Sequence, residues 1–345
     1  MKPKHIYWFA YYDLREPSVR YRGLYALQHF KKKYNINYSI VYPGYRPQNI
    51  LHFFRTYIAV LFFRKKDSII VFENIHTKRI YATALKFLLF FRTEHTLYDI
   101  DDADYLRFNA DTIHYFMKKC EACSAGSRSI KNYAERYNPT SLLLTSPVID
   151  HNHIKQVRNK ILSITWIGYY NAHRESLLQL FFPAIKKLSF TLKLTITGVA
   201  KPQHFEEIRN YFADAAHVIL EIPASIDWMD ENSIYEQISL ADLGVSPLLD
   251  TAFNRAKSAF KVKQYLSCGL PVIGNQTGEN AVFIKDGVNG FYSETSESYY
   301  EVINQFKEMD DRSYFTLSQN ARKTFEDFSI DNYCRTFLDF LQILS

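Results

Sequence analysis

The sequence lacks several things, and each shortage removes a class of protein. Four cysteines in 345 residues are too few for a disulfide scaffold. No secretory signal is read where Met1-Lys-Pro-Lys-His5 runs straight into a strand-like Ile6-Tyr-Trp-Phe-Ala10, so a reducing cytoplasm is the expected compartment. Cys120 and Cys123 form a lone CxxC with no second pair or His cluster, and packing is expected of them rather than metal or redox work. No stretch approaches the roughly 18 to 20 apolar residues that cross a bilayer. There is no repeat of fixed period, which excludes a solenoid. Neither half carries GxGxxG after its first strand, which speaks against a dinucleotide oxidoreductase. No RNA- or DNA-binding motif is present, so net charge alone would argue for nucleic acid and none is expected as a partner.

What is present is an ordinary globular composition, 47% hydrophobic and 23% charged, at a length that favours two domains over one core. The 26 Tyr and 27 Phe read as compositional drift rather than as a stacking device. The formal charge of +6 is unevenly spread: residues 1–150 hold 23 Lys and Arg against 13 Asp and Glu, leaving 19 against 23 for the rest. Such a basic half suits an anionic membrane, a phosphate-bearing substrate or a nucleic acid. Two apolar segments flanked by basic residues, 53–64 and 81–92, read as helices either buried against a sheet or inserted at a membrane interface.

Short apolar runs alternate with amphipathic segments, the pattern of repeated βα units and parallel sheets. In the first half strands are expected at 5–10, 38–42, 68–72, 96–100, 121–124 and 141–144. Around Ser146-Pro-Val-Ile-Asp150 the pattern breaks, and a polar stretch, 151–160, reads as a connection. A second series follows with strands at 162–167, 192–197, 217–222, 242–245 and 271–274, and helices at 175–188, 205–212, 232–238 and 259–268. After Phe291 the chain is expected to be helical, ending with 331–344. The domains are therefore 1–150, 151–328, and a C-terminal helix, 329–345, expected to pack back toward the first domain.

In doubly wound sheets, ligands gather where strands end and helices begin. The strand ending at Gly168 leads into Tyr169-Tyr-Asn-Ala-His-Arg174. A glycine there admits a ligand to the backbone, and Arg174 has the charge to neutralise a diphosphate, although on its own a surface arginine is the simpler reading. A helix beginning near Ser258 places Lys261 and Gln264 on one face, three residues apart. Gly269 would close that helix in a left-handed cap, and Leu270-Pro-Val-Ile-Gly274 would return as a strand. Gly278-Glu-Asn280 and Asp286-Gly-Val-Asn-Gly-Phe291 then supply a tight turn and a Gly-rich loop.

The run from Lys257 through Gly269-Leu-Pro-Val-Ile273, with Thr277-Gly278 and Asp286-Gly-Val-Asn-Gly-Phe291, resembles family 4 glycosyltransferases. The likeness extends from Trp166 to about Phe328. It is looser in Pro17-Ser-Val-Arg-Tyr-Arg22 and Leu97-Tyr-Asp-Ile-Asp-Asp102. It implies an α/β fold of two Rossmann-like domains facing each other across a cleft, an acceptor-binding first domain and a second that binds the nucleotide sugar. It further implies retention of anomeric configuration and no metal or other cofactor. Lys261 matches the family's lysine near the donor phosphates, and Arg174 stands where its loop carries a lysine. Gln264 replaces the usual ribose-binding glutamate; an amide can accept one such bond and donate another. Gly278, Glu279 and Asn280 match the turn beside the donor, whose backbone N–H groups would complete the anion site. Ala256 replaces the first acid of the family's paired-glutamate motif, and Tyr169 an arginine common after Gly168. Lys257, next to the missing acid, reads as a sugar or phosphate contact or as a solvated side chain.

On the acceptor side, Asp99, Asp101, Asp102 and Asp104 follow a strand in an otherwise basic domain. Crowded carboxylates repel, so one is expected to hold a raised pKa or to bind acceptor hydroxyls, with Asp101 and Asp102 the catalytic candidates. Glu73 and His76 would line the same place, and Arg20 and Arg22 are read as phosphate contacts. The expected acceptor is a surface glycan or lipid-linked sugar met at the inner face of a membrane. The competing reading is a catalytically silent sugar-nucleotide-binding protein, since Ala256 and Gln264 stand in place of acids.

Overall fold

A computed structural model describes residues 3–44, 46–77 and 79–343. The chain forms two compact units: one of Met1–Ile149, Ala256–Ser258 and Phe328–Ser345, the other of Asp150–Arg255 and Ala259–Asp327. Each is built on a six-stranded sheet with every described pairing parallel.

The first unit contains β1 (His5–Ala10), β2 (Asn37–Val41), β3 (Ser68–Glu73), β4 (Thr96–Ile100), β5 (Ala122–Ala125) and β6 (Ser141–Leu143), ordered β2-β1-β3-β4-β5-β6. The residues of β3 and β4 are buried on both faces, which is why they are predominantly apolar without strict alternation. The core takes Ile6, Trp8, Leu27, Phe30 and Val71 together with Tyr333, Cys334, Phe337 and Leu341 from the last helix, Ile330–Ile343. All four cysteines are free and buried.

Segments 53–64 and 81–92 are helical, as Pro47–Phe63 and Arg79–Phe91. Pro47 starts the first, where a missing N–H costs nothing. Burial accounts for one face only: Thr56, Val60, Leu85 and Leu88 point inward, while Phe54, Phe62, Phe87 and Phe90 are exposed.

The second unit contains β7 (Ser163–Ile167), β8 (Leu192–Thr197), β9 (Val218–Glu221), β10 (Leu243–Ser246), β11 (Val272–Gly274) and β12 (Gly290–Tyr292), ordered β12-β11-β10-β7-β8-β9. β12 falls where the sequence reads as a Gly-rich loop. Gly290 lies so close to β11 that a Cβ would stand 2.1 Å from the Val272 carbonyl oxygen, and the glycine serves strand pairing. The helix expected from 175 begins five residues earlier, at Tyr170, and runs through a π-turn to Lys187.

Candidate functional site

Strand order locates the candidate sites. The strand order of each sheet reverses once, between β1 and β3 in the first unit and between β7 and β10 in the second. Crevices at the C-terminal ends of such strand pairs are where doubly wound sheets bind ligands.

In the second unit, β7 ends at Gly168, whose φ of +151° favours glycine. A Cβ there would lie 2.3 Å from Lys261 Cε and 3.1 Å from its Nζ, so the lysine is laid directly across the Gly168 α-carbon. Gly198, after β8, has φ +98°, and a Cβ on it would meet the Gly168 carbonyl oxygen at 1.9 Å. The two loops are thus pressed together through glycines. Lys261 Nζ lies 2.8 Å from His173 Nε2 and 5.7 Å from the centre of the Trp166 ring. A lysine donating to Nε2 leaves the imidazole proton on Nδ1.

Lys261 is fixed by its helix, Phe260–Ser267. Tyr265 accepts a bond from the Ile167 N–H at 3.0 Å, and its ring fills the space over Gly244, where a Cβ would stand 2.4 Å away. Ala259, preceding this helix, has φ +55°, a conformation that costs an L-residue about 1–2 kcal/mol. Gly269 closes the helix at φ +71°. Gln264 is buried one turn after Lys261.

The ends of β10 and β11 are tied together. Asn280 donates to the Ser246 carbonyl oxygen at 3.1 Å, and Asn275 accepts from the Leu248 N–H at 2.9 Å. Gly278 turns the chain at φ +63°, after which Glu279 and Asn280 are buried. Asn280 Oδ1 has no hydrogen-bond partner among the described residues, a condition that buried polar atoms seldom keep without a water or ligand.

Other expected site residues are placed differently. Arg174 lies inside its helix, not in a loop, because the helix begins at Tyr170. Its guanidinium is held by both Glu207 oxygens, with Nε at 2.9 Å from each, and by Glu175. The Arg174 charge is therefore already matched, and Lys261 is the cation beside Gly168. Tyr169 is exposed just before that helix. Lys257 groups with the first unit, where the Ala256 carbonyl accepts from Ser127 Oγ at 2.7 Å.

In the first unit the ends of β1 and β3 bring Tyr11, Tyr12 and His76 together. The His76 ring stands 3.8 Å from that of Tyr11 and 5.0 Å from that of Phe108, and its Nε2 is 3.3 Å from the Tyr12 hydroxyl. Asn74, in the left-handed region at φ +51°, donates to Asp101 Oδ1 at 2.7 Å and accepts from the Asp101 N–H at 3.2 Å. Gly126 allows this approach, since a Cβ there would meet Asp101 Cβ at 2.7 Å.

Burial pushes Asp101 up to about 7, with Arg22 opposing and the Asp102 charge adding to the rise. Burial, again reinforced by Asp102, takes Asp104 up to about 6, and burial beside Asp99 holds Glu73 well above the usual carboxylate range. Asp102 itself is exposed.

Arg20 and Arg22 are not phosphate contacts in this arrangement. Both are buried; Arg22 forms a two-pronged pair with Asp99, its Nε at 2.8 Å, and Arg20 donates to the carbonyls of Leu14 and Arg15. An arginine without solvent access and with a carboxylate already bound holds the fold. Among the described residues no group of three or more His, Cys, Asp and Glu is arranged to hold a metal ion.

Sequence reasoning missed His173, Asn74 and the Tyr11–Tyr12 pair. His173 was legible only with the helix starting at Tyr170, which puts it one turn in and facing the core. Tyr11 and Tyr12, directly after β1, carried a positional signal.

Residues 160–308 match the sequence family described as Glycosyl transferases group 1. No curated protein sequence matches the chain. Solved structures similar along the whole length include Anabaena HepE in complex with UDP, at 12% identity and TM-score 0.70, covering 98% of this chain and 99% of that one. The sucrose-phosphate synthase of Thermosynechococcus elongatus matches at 12% identity and TM-score 0.70, covering 99% of both chains. The lipopolysaccharide outer core galactosyltransferase WaaB in its apo form matches at 12% identity and TM-score 0.67, covering 98% and 99%. The chain shares their fold of two Rossmann-like domains.

Proposed function

We propose, for a chain whose residues 160–308 match the Glycosyl transferases group 1 family and whose whole length takes the fold of solved glycosyltransferases, that the protein transfers a hexose from a nucleoside diphosphate to an acceptor hydroxyl. UDP-sugar is the donor class favoured by similarity to HepE, solved with UDP and with UDP-glucose. The observation that carries the reading is the Lys261 ammonium laid across Gly168 at the switch point of the second sheet.

A departing diphosphate gains negative charge as its bond to the sugar breaks, and a fixed cation at that point favours the transition state over the bound substrate. Lys261 is that cation, with His173 holding its Nζ. Gln264 receives the ribose hydroxyls, and the turn Gly278–Asn280 offers backbone N–H groups to the phosphates. Transfer proceeds with retention and without a metal, the leaving phosphate taking the acceptor proton. In the first unit Asp101 and Asp102 hold acceptor hydroxyls. The acceptor is a glycan, lipid-linked and met at the cytoplasmic face of an anionic membrane, as the net charge of +10 on residues 1–150 suggests.

A thermal-shift panel of UDP-, GDP- and other nucleotide sugars, with and without EDTA, tests the donor class and the absence of a metal together. Stabilisation by UDP-sugars that survives EDTA is expected; no response to any nucleotide ends the reading. A silent sugar-nucleotide-binding protein, the alternative raised by Ala256 and Gln264, would be stabilised in the same panel yet neither hydrolyse nor transfer the sugar.

A further inference from the structure

On the first unit the helices Pro47–Phe63 and Arg79–Phe91 lie side by side. The Tyr57 hydroxyl donates to the Ala84 carbonyl at 2.9 Å, the Phe53 and Tyr81 rings stand 5.5 Å apart, and Arg92 donates to the Leu61 carbonyl at the far end. Contacts that advance together along both helices make the pair parallel, as successive βα units require. Their outward sides are apolar where a solvated helix carries polar residues. Phe54, Ile58 and Phe62, four residues apart, form one stripe, and Phe87, Phe90 and Phe91 continue it on the neighbour. Phe62 is 66% and Phe90 71% exposed.

Neither helix contains an acidic residue. Cations, by contrast, lie along the pair and beyond it: Arg46 is exposed before the first helix, Arg55 is exposed within it, and Lys86 belongs to the second. Lys65 and Lys66 are exposed just after the first helix, and Arg64 reaches the Glu94 carbonyl at 2.6 Å beyond the second. A second copy of this chain is a poor occupant, because a two-fold contact would set the cations of the helices against themselves with no acid on either helix to answer them, Asp67 being paired with Lys4. A bilayer carrying anionic lipid satisfies both features, apolar rings entering the acyl boundary and ammonium groups meeting lipid phosphates. No described helix is long and apolar enough to cross a membrane, so the contact lies in the plane of the interface.

We propose that this two-helix face docks the protein on an anionic membrane surface, Phe62, Phe87, Phe90 and Phe91 inserting and Lys65 and Lys66 binding lipid phosphate. It rests on the glycosyltransferase reading only for its purpose, delivery of a lipid-linked acceptor.

The test is flotation of the full chain with vesicles of equal parts phosphatidylglycerol and phosphatidylcholine, and with phosphatidylcholine alone. The wild type floats with the anionic vesicles. Phe62→Ser/Phe90→Ser lowers that partitioning by about tenfold or more, and Lys65→Glu/Lys66→Glu abolishes the preference for anionic lipid, while both keep the thermal response to UDP-sugar. A serine variant that floats like the wild type overturns the proposal. So does a lipid-free wild type that is dimeric where the serine variant is monomeric, since the face then belongs to a second copy. Phe62→Trp supplies a readout without loss of the apolar face: its emission shifts to the blue with anionic vesicles, and an unchanged spectrum also overturns the proposal. Nucleotide response without flotation sinks this inference alone; flotation without nucleotide response sinks the donor reading alone.

Discussion

At Lys261 and Arg174 two cations near the same strand end have opposite surroundings, and the sequence could not tell them apart. Lys261 has a histidine nitrogen and a glycine backbone beside it, whereas Arg174 is bound to two glutamates. Removing a cation that meets charge developing in the transition state costs about 10²–10³ in turnover. Lys261→Met is therefore expected to lower kcat by that order with folding intact. Arg174→Ala, which deletes a partly exposed ion pair, should cost less than about 1 kcal/mol of stability and under tenfold in kcat. Steady-state kinetics on both variants decides the matter, and equal losses would return Arg174 to the phosphate site.

Asp101 gives a pH signature. Its folded pKa of about 7 lies above the unfolded carboxylate value near 4. Between those pH values the folded chain holds the extra proton, so this group's contribution is full below about pH 4 and is lost as pH rises through about 7. Asp101→Asn removes that slope, amounting to about 2 kcal/mol once solvent screening at a partly exposed site is allowed for. Buried His151, lowered to about 4, acts in the opposite direction below about pH 6.5, but equally in both proteins. The difference between wild-type and variant urea midpoints across the pH range reports Asp101 together with the smaller share of the rise that its charge lends to Glu16 and Glu73, and parallel curves would contradict the assignment. The raised carboxylate was foreseeable from four acids in and after one strand; which acid was not, because burial is the main cause of the rise and sequence spacing does not show which of the four is buried.

Among the elements, strands announced themselves more clearly than helix starts. β4 and β8 occupy the residues expected of them, since short stretches rich in apolar and β-branched residues between polar segments mark a largely buried strand even where Asp99 or Lys193 interrupts the run. β12 was hidden because Gly290 signals a loop in isolation and a close strand pairing only beside Val272. The helix start at Tyr170 was hidden because its N-cap is Tyr169, not one of the usual capping residues, and no side-chain cap is present there. The glycines between elements separate steric from conformational cost. Gly198→Ala drives a Cβ to 1.9 Å from the Gly168 carbonyl oxygen, while Gly287→Ala, at φ +67°, meets nothing within 4 Å. The second should cost about 1 kcal/mol from backbone strain. The first should exceed it by several kcal/mol and weaken nucleotide binding, because Gly168 must move. Unfolding midpoints and nucleotide titrations of the two variants give the comparison, and similar values would mean that the two loops are not in fact pressed together.

For the molecule as a whole, the last helix completes the first unit's core although the second unit separates it in sequence from residues 1–149. Phe337 stands 5.4 Å from the Phe30 ring and is fully buried; a C-terminal helix, 329–345, packing back toward the first domain is expected from the sequence, but not the side chains it would meet. Truncating a buried phenylalanine costs about 3–5 kcal/mol, a large share of the 5–15 kcal/mol typical of a domain. Nucleotide, by contrast, should stabilise the unit that carries Lys261, by an amount set by its concentration relative to Kd. In calorimetry, Phe337→Ala is expected to lower a transition that UDP-sugar does not raise, leaving the nucleotide-sensitive transition in place. If substitution and ligand move one and the same transition, the two units unfold as a single cooperative body, and residues 330–343 stabilise the donor site as much as the sheet they pack on.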